Sequence, residues 1–226
     1  MRRFFRLSVR RMLVLVAVAA IPFALWSTWF SPFRRWERDL HHDQDGPRRW
    51  NALQRIADGT IPAPAALAAL AEAARSPSFR VRETALAGIG RMGPAAKSLA
   101  PVLLEALEDP DTEVRRRAAG ELIALLPGDD EGRDAAAPAL RAKLQDPSVN
   151  VREQAAFTLA EFGRGEEALP VLLATLHRPD RLSLSNALWA LGRAGPQIAE
   201  KALPEIRERL DLALDATLAW LRDYAR

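Results

Sequence analysis

The chain contains no cysteine among its 226 residues. That removes disulfides, thiolate metal centres and a cysteine nucleophile, while leaving the cellular compartment open. It has a single tyrosine and three histidines, and no stretch alternates polar and apolar residues as a half-buried strand would. Catalytic signatures are missing as well: there is no G-x-S-x-G elbow, no phosphate-binding Walker loop and no H-E-x-x-H pair. Positive charge is scarce where a folded domain would need it to hold nucleic acid. The net charge is +3, but residues 1–49 carry ten arginines against four acids, so residues 50–226 are net acidic. The larger part of the chain therefore has no electrostatic case for nucleic acid. The expectation is a protein that is not an enzyme and has no cofactor, no metal site and no small-molecule substrate.

What the chain does have is self-similarity. A cassette anchored on proline returns four times, as PSFRVRETALAGIG, PDTEVRRRAAGELI, PSVNVREQAAFTLA and PDRLSLSNALWALG. The prolines are Pro77, Pro110, Pro147 and Pro179, spaced by 33, 37 and 32 residues. Eight positions after each stands Ala85, Ala118, Ala155 or Ala187, and twelve after stands Ile89, Leu122, Leu159 or Leu191. A second cassette interleaves with the first around Pro101, Pro138, Pro170 and Pro204, with aliphatics two and six residues on; a degenerate copy covers 61–75. Self-similarity at this period marks stacked repeats, each too small to bury its own apolar face.

Each unit reads as two short helices. The interleaved prolines suit a first helical turn, whose N–H groups have no intrahelical partner. Asp111 and Ser148 stand at N-cap positions, and Gly93, Gly163 and Gly195 stand where a glycine would end the second helix. Leu126 takes that place in the second unit, followed by the longer loop Pro127-Gly128-Asp129-Asp130, which accounts for the wider spacing. The acidic pairs at Asp130-Glu131 and Glu166-Glu167 fall beside helix starts, where they complement the helix dipole.

The pattern L-P-x-L-L-x-x-L-x-D-P-x-x-x-V-R-x-x-A-x-x-x-L, strongest over 94–178, resembles HEAT repeats of the short bacterial kind. The resemblance implies an all-α superhelix, a right-handed solenoid of about five helix pairs, whose usual work is to bind other proteins. It also implies a polar ladder between repeats, made by the Asp closing the first helix and the Arg after Val in the second. Here those are Asp109 and Asp146, with Arg82, Arg115 and Arg152. The acid before Arg82 is replaced by Ser76, and in the fourth unit Arg178 replaces the acid while Ser183-Leu184 replace Val-Arg, so the ladder is expected to stop there. Enzymes built on HEAT-like repeats, bilin lyases and some DNA glycosylases among them, are the alternative from another class.

Position ten of the first cassette, which forms the second helix of each unit, reads Ala87, Gly120, Phe157 and Trp189. At 100° per residue it lies opposite the alanine and leucine side. In the resembled family that side lines the concave surface, so Phe157 and Trp189 are the expected centre of a partner site. Glu153, Glu161, Ser185 and Arg193 would form its rim.

The N-terminus carries a separate signal. Residues 1–11 are a basic tail, and Met12–Phe30 runs 19 residues without a charge, close to the length that crosses a bilayer's hydrocarbon core. Trp26, Trp29, Phe30, Phe33 and Trp36 suit an interfacial belt. Val18-Ala19-Ala20 would serve a signal peptidase, but the apolar run continues past it, so 12–30 is read as an uncleaved single-pass anchor in the lipid bilayer. Five arginines before the span place the N-terminus inside and the repeats outside the cytoplasm. Residues 31–47 read as a juxtamembrane linker, in which His41, His42, Asp43 and Asp45 are solvated rather than metal-bound. Residues 48–226 form the repeat domain. Trp50, Leu53 and Ile56 cap one end, and a helix over 212–222, with Leu214, Leu218 and Leu221 on one face, caps the other.

Overall fold

A computed structural model describes residues 39–40, 48, 51–53, 55, 63–178 and 181–224, with side chains in the last helix described to Arg209 and at Asp211. The segment 12–30 expected to be an anchor, the linker histidines, Trp50 and Ile56 lie outside the described residues. Among the described residues there is no strand, and no helix is long and apolar enough to cross a membrane.

The chain forms α1 (Ala63–Ala73), α2 (Phe79–Met92), a 3₁₀ stretch (Gly93–Leu99), α3 (Ala100–Ala106), α4 (Thr112–Leu125), α5 (Asp130–Lys143), α6 (Val149–Glu161), α7 (Gly165–Leu176), α8 (Arg181–Arg193) and α9 (Pro196–Tyr224). These pair as α1/α2, α3/α4, α5/α6 and α7/α8. Successive second helices α2, α4, α6 and α8 pack on one another, whereas the first helices α3, α5 and α7 rest on the second helices rather than on each other. The layer whose neighbours approach more closely is the inner side of a curved stack. The second helices therefore line the concave face.

The periodic residues form the core. Ala85, Ala118, Ala155 and Ala187 are buried, and Ile89, Leu122, Leu159 and Leu191 lie buried one turn further on. From the first helices come Leu103, Leu107, Leu140, Leu144, Leu172 and Leu176. Alanine at position eight leaves room for the neighbouring backbone to come close, and the leucines fill the space between layers. Leu40, Ala52 and Leu53 are also buried, Leu53 against the α2 glycine Gly88, so the N-terminal end of the stack is covered. Gly93, Gly163 and Gly195 have φ of 56°, 76° and 101°, the left-handed region that a chain leaving a helix uses and that glycine enters without strain.

Three expectations need correction. Pro101 is in the first turn of α3, but Pro138, Pro170 and Pro204 lie inside α5, α7 and α9. Those helices begin earlier because good N-terminal residues precede the proline, such as Asp130 and Glu131 or Glu166 and Glu167 in the first turn. Each proline then forgoes one backbone hydrogen bond within an otherwise packed helix. Asp111 caps α4 by accepting from the N–H groups of Glu113 (2.9 Å) and Val114 (3.2 Å), but the Ser148 side chain makes no such bond at α6. Finally, the expected separate helix over 212–222 is the distal part of a single 29-residue helix.

Candidate functional site

The Arg and Asp residues of the repeat consensus pair across units. Arg82 donates from Nε and Nη2 to both carboxylate oxygens of Asp109 in the next unit, at 2.7 and 2.8 Å. Arg115 does the same to Asp146, at 2.8 and 3.1 Å. Each Asp also accepts the backbone N–H two residues on, from Asp111 and Ser148 respectively, both at 2.8 Å. Each arginine turns Nη1 back to the carbonyls of its own unit's turn: Ser76 and Pro77 for Arg82, Asp109 and Pro110 for Arg115, Asp146 and Pro147 for Arg152. Among the described residues no carboxylate meets Arg152. Arg178, standing where the next acid would be, pairs with Glu153 instead (3.0 Å). Burial works against ionisation of Asp146, but the Arg115 guanidinium and the Ser148 N–H outweigh it and hold its carboxyl below the ordinary value. These bidentate, charge-assisted pairs fix the spacing of the units on which the inner face is built.

On that face Phe157 and Trp189 come together. Their rings stack with centroids 4.7 Å apart and an interplanar angle of 18°. Phe157 is partly buried against the core, while Trp189 is 51% exposed. The Arg193 guanidinium lies over the indole, 5.7 Å from its centroid, and is held there by two bonds to Glu161, at 2.9 and 3.0 Å. The aromatic pair is thus steadied from both sides: Phe157 is braced by the core and Trp189 by a paired cation.

Beside the rings opens a cleft of about 550 Å³ between α6 and α8. Phe157, Leu172 and Ala187 supply its apolar wall; Asn150, Gln154 and Asn186 supply carboxamides; Arg116, Glu153 and Arg178 supply charge. Gly120 helps to shape it, because the Gln154 carboxamide lies where a Cβ at 120 would stand, with Nε2 3.2 Å from that point. Of the expected rim, Glu153 lines the cleft and Glu161 and Arg193 flank the rings, whereas Ser185 is exposed outside it. Sequence reasoning missed the amides. The available signal was position seven of the first cassette, which holds the carboxamides Gln154 and Asn186 in successive units.

A second cleft, of about 410 Å³, lies on the same face between α2 and α4 and includes Leu53, Glu83, Gly90, Arg117 and Glu121. Burial pushes the Glu121 carboxyl up, with Arg117 offsetting part of the rise. A raised carboxyl in a cleft is what an acid catalyst requires. Here, however, the Arg117 guanidinium is engaged by both Glu83 (2.9 Å) and Glu121 (3.4 Å), as in a structural ion network. Among the described residues no three metal-ligating side chains converge.

The sequence matches the HEAT-repeat family over residues 38–124 and 137–221, more than half of the chain. The chain belongs to that family. No curated protein sequence matches it. Solved structures share the HEAT-like stack. The Escherichia coli protein YibA superposes with a TM-score of 0.56 at 21% identity, over 79% of this chain and 66% of its own, so this chain spans slightly under two thirds of that protein. A designed armadillo repeat protein in complex with the peptide (KR)4 gives 0.52 at 19% identity, over 79% of this chain and 91% of its own. An engineered protein gives 0.51 at 20%, over 81% and 88%. At these identities the likeness speaks for the fold.

Proposed function

We propose that this HEAT-repeat domain is a non-catalytic protein-binding module whose inner face takes an extended segment of a partner at the cleft beside Phe157 and Trp189. The observation that carries the reading is the half-exposed Trp189, braced by Arg193 and pre-stacked on Phe157, which itself lines the amide-lined cleft. An exposed aromatic with an already fixed rotamer binds with little loss of conformational freedom. Carboxamides offer both donors and acceptors to a peptide backbone without demanding charge. Support also comes from the designed armadillo repeat protein, which holds a peptide on a comparable stack. Its (KR)4 ligand is not the one favoured here, because Arg116 and Arg178 line this cleft. An apolar or aromatic anchor with neutral neighbours fits it better. Residues 12–30 would tether the module to a membrane, with the repeats outside the cytoplasm, as a scaffold or receptor for proteins at that surface.

Selection from a displayed random-peptide library tests the site on the full chain. Enriched peptides should carry an apolar anchor and lose roughly tenfold or more in affinity for the Trp189→Ala variant, as for a hot-spot residue. Failure to enrich any sequence, or equal binding by the variant, would reject the reading.

A further inference from the structure

The inner layer ends one helix short. Position nine of each second helix faces the following unit, and Leu86, Ala119 and Ala156 are fully buried there. At the same position of α8, Leu188 is 40% exposed. Position eleven of the next second helix makes this joint. Thr158 Oγ1 donates to the Ala119 carbonyl at 2.9 Å, and the Glu121 carboxylate covers Gly90 so closely that a Cβ there would stand 1.8 Å from its Oε2. Position eleven thus settles against positions nine and thirteen of the helix before it. On α8, position thirteen is Gly192, with open space in front of it.

The sequence contains the absent helix. Residues 211–223, DLALDATLAWLRD, repeat 181–193, RLSLSNALWALGR, at an offset of 30, with leucine at 182/212, 184/214, 188/218 and 191/221. The family match accordingly runs to residue 221. In this register position eleven is Trp220. Yet 211–224 is not a separate helix, because α9 is continuous from Pro196 to Tyr224. Earlier units carry Asp109-Pro110, Asp146-Pro147 and Arg178-Pro179 between the two helices; in this register the equivalent residues are Glu208-Arg209, good helix formers that let the helix run on. At 1.5 Å per residue α9 is about 43 Å long, roughly twice the length of its neighbours. Its first half is fixed as a first helix should be, with Ile198 and Ala202 buried and Arg209 Nε donating to the Leu176 carbonyl at 3.1 Å. A second helix must run antiparallel to the first, and an unbroken helix cannot turn back onto α8.

We propose that residues 211–224 of one copy fill the vacant place on α8 of a second copy, and that the second copy's segment does the same in return. Reciprocal exchange of an identical element is a low-cost route to a two-fold dimer. The partner is a second copy because the segment repeats the leucine pattern of this chain's own second helices. Trp220 would seat over Gly192 and beside Leu188, covering the apolar surface that the earlier units bury against their successors. This dimer is independent of the peptide site, which lies at position ten.

The absence of native cysteine makes the test direct. Full-length protein in detergent is co-expressed from two differently tagged copies, one bearing Leu188→Cys and the other Trp220→Cys, and treated with a short bismaleimide. A cross-link joining the two tags is expected. The pair Leu203→Cys and Trp220→Cys should give none, although Leu203 is just as exposed (44%). Gly192→Leu fills the hollow and favours the helix, so it should reduce cross-linking roughly tenfold or more without lowering the unfolding temperature. If a chain carrying both Leu188→Cys and Trp220→Cys cross-links only within itself, α9 breaks and folds back on its own α8, which overturns the proposal. Absence of any cross-link, equal yield from the Leu203 control, or indifference to Gly192→Leu would overturn it as well.

Discussion

Replacing Asp146 by Asn tests whether the inter-unit ladder holds the stack in register. Asp146 is 6% exposed and accepts two bonds from Arg115 and one from the Ser148 N–H. Asparagine keeps one carbonyl for Ser148 but turns an NH2 toward a guanidinium whose side chain is only 11% exposed. Breaking a buried pair typically costs about 3–5 kcal/mol, because the remaining charge loses its partner. Arg115 retains its bonds to the Asp109 and Pro110 carbonyls, so the cost here should fall at about 2–3 kcal/mol. For a domain of this size that corresponds to a fall of roughly 4–12 °C in melting temperature. Thermal and urea unfolding followed by far-ultraviolet circular dichroism would read it. Arg115→Met should cost a similar amount, and the double variant clearly less than the sum, since removing both partners leaves no stranded charge. The pH dependence has a definite sign. Because the folded carboxyl titrates below its unfolded value, its contribution is complete above an unfolded pKa of about 3.9 and is lost as pH falls through the folded value. Wild type and Asp146→Asn should therefore differ at neutral pH and converge in acid. A loss below about 0.5 kcal/mol, within the range of ordinary surface substitutions, or a strictly additive cycle, would refute the ladder as a stabilising device.

Four other outcomes are expected. Leucine at Ala118 or Ala155, both fully buried, should overpack the core and cost about 1–3 kcal/mol in urea unfolding; neutrality at both would mean that these positions are not closely packed. Thr158→Val removes a buried hydroxyl that reaches the Ala119 carbonyl in the preceding unit and should cost about 1 kcal/mol. Trp189→Ala should change stability by less than about 1 kcal/mol, the ring being half exposed, while Phe157→Ala, braced on the core, should cost more by the same denaturation assay. The chain should remain with membranes after carbonate extraction and migrate at full length; release into the supernatant, or an N-terminus at Ile21, would remove the anchor at 12–30.

Much of the fold was legible because a stacked repeat writes its contacts into a local period. Ala85, Ala118, Ala155 and Ala187 could be assigned to the core from spacing alone, since every unit buries position eight in the same way. Gly93, Gly163 and Gly195 announced their left-handed turns for an equally local reason. The site was less legible. Phe157 and Trp189 were visible as two aromatics at equivalent positions, but not as a stacked pair, and the amides of Asn150, Gln154 and Asn186 carried no meaning until a cleft gathered them.

The sequence by itself determined the helical class, the pairing of short helices into repeats, the end of the ladder at Arg178 and the identity of the buried small residues, because each depends on side-chain size or charge at a fixed spacing. The tertiary structure decided which arginine meets which aspartate. Arg115 bonds to Asp146, 31 residues away, rather than to the carboxylate of the nearer Asp109, because the stacked units bring the next turn within reach of its guanidinium. It also decided that Trp189 lies on Phe157, that three prolines sit inside helices, and that α9 runs on without a turn. Those outcomes rest on distances between units and on the competition between packing and local breaker residues, neither of which a linear spacing records.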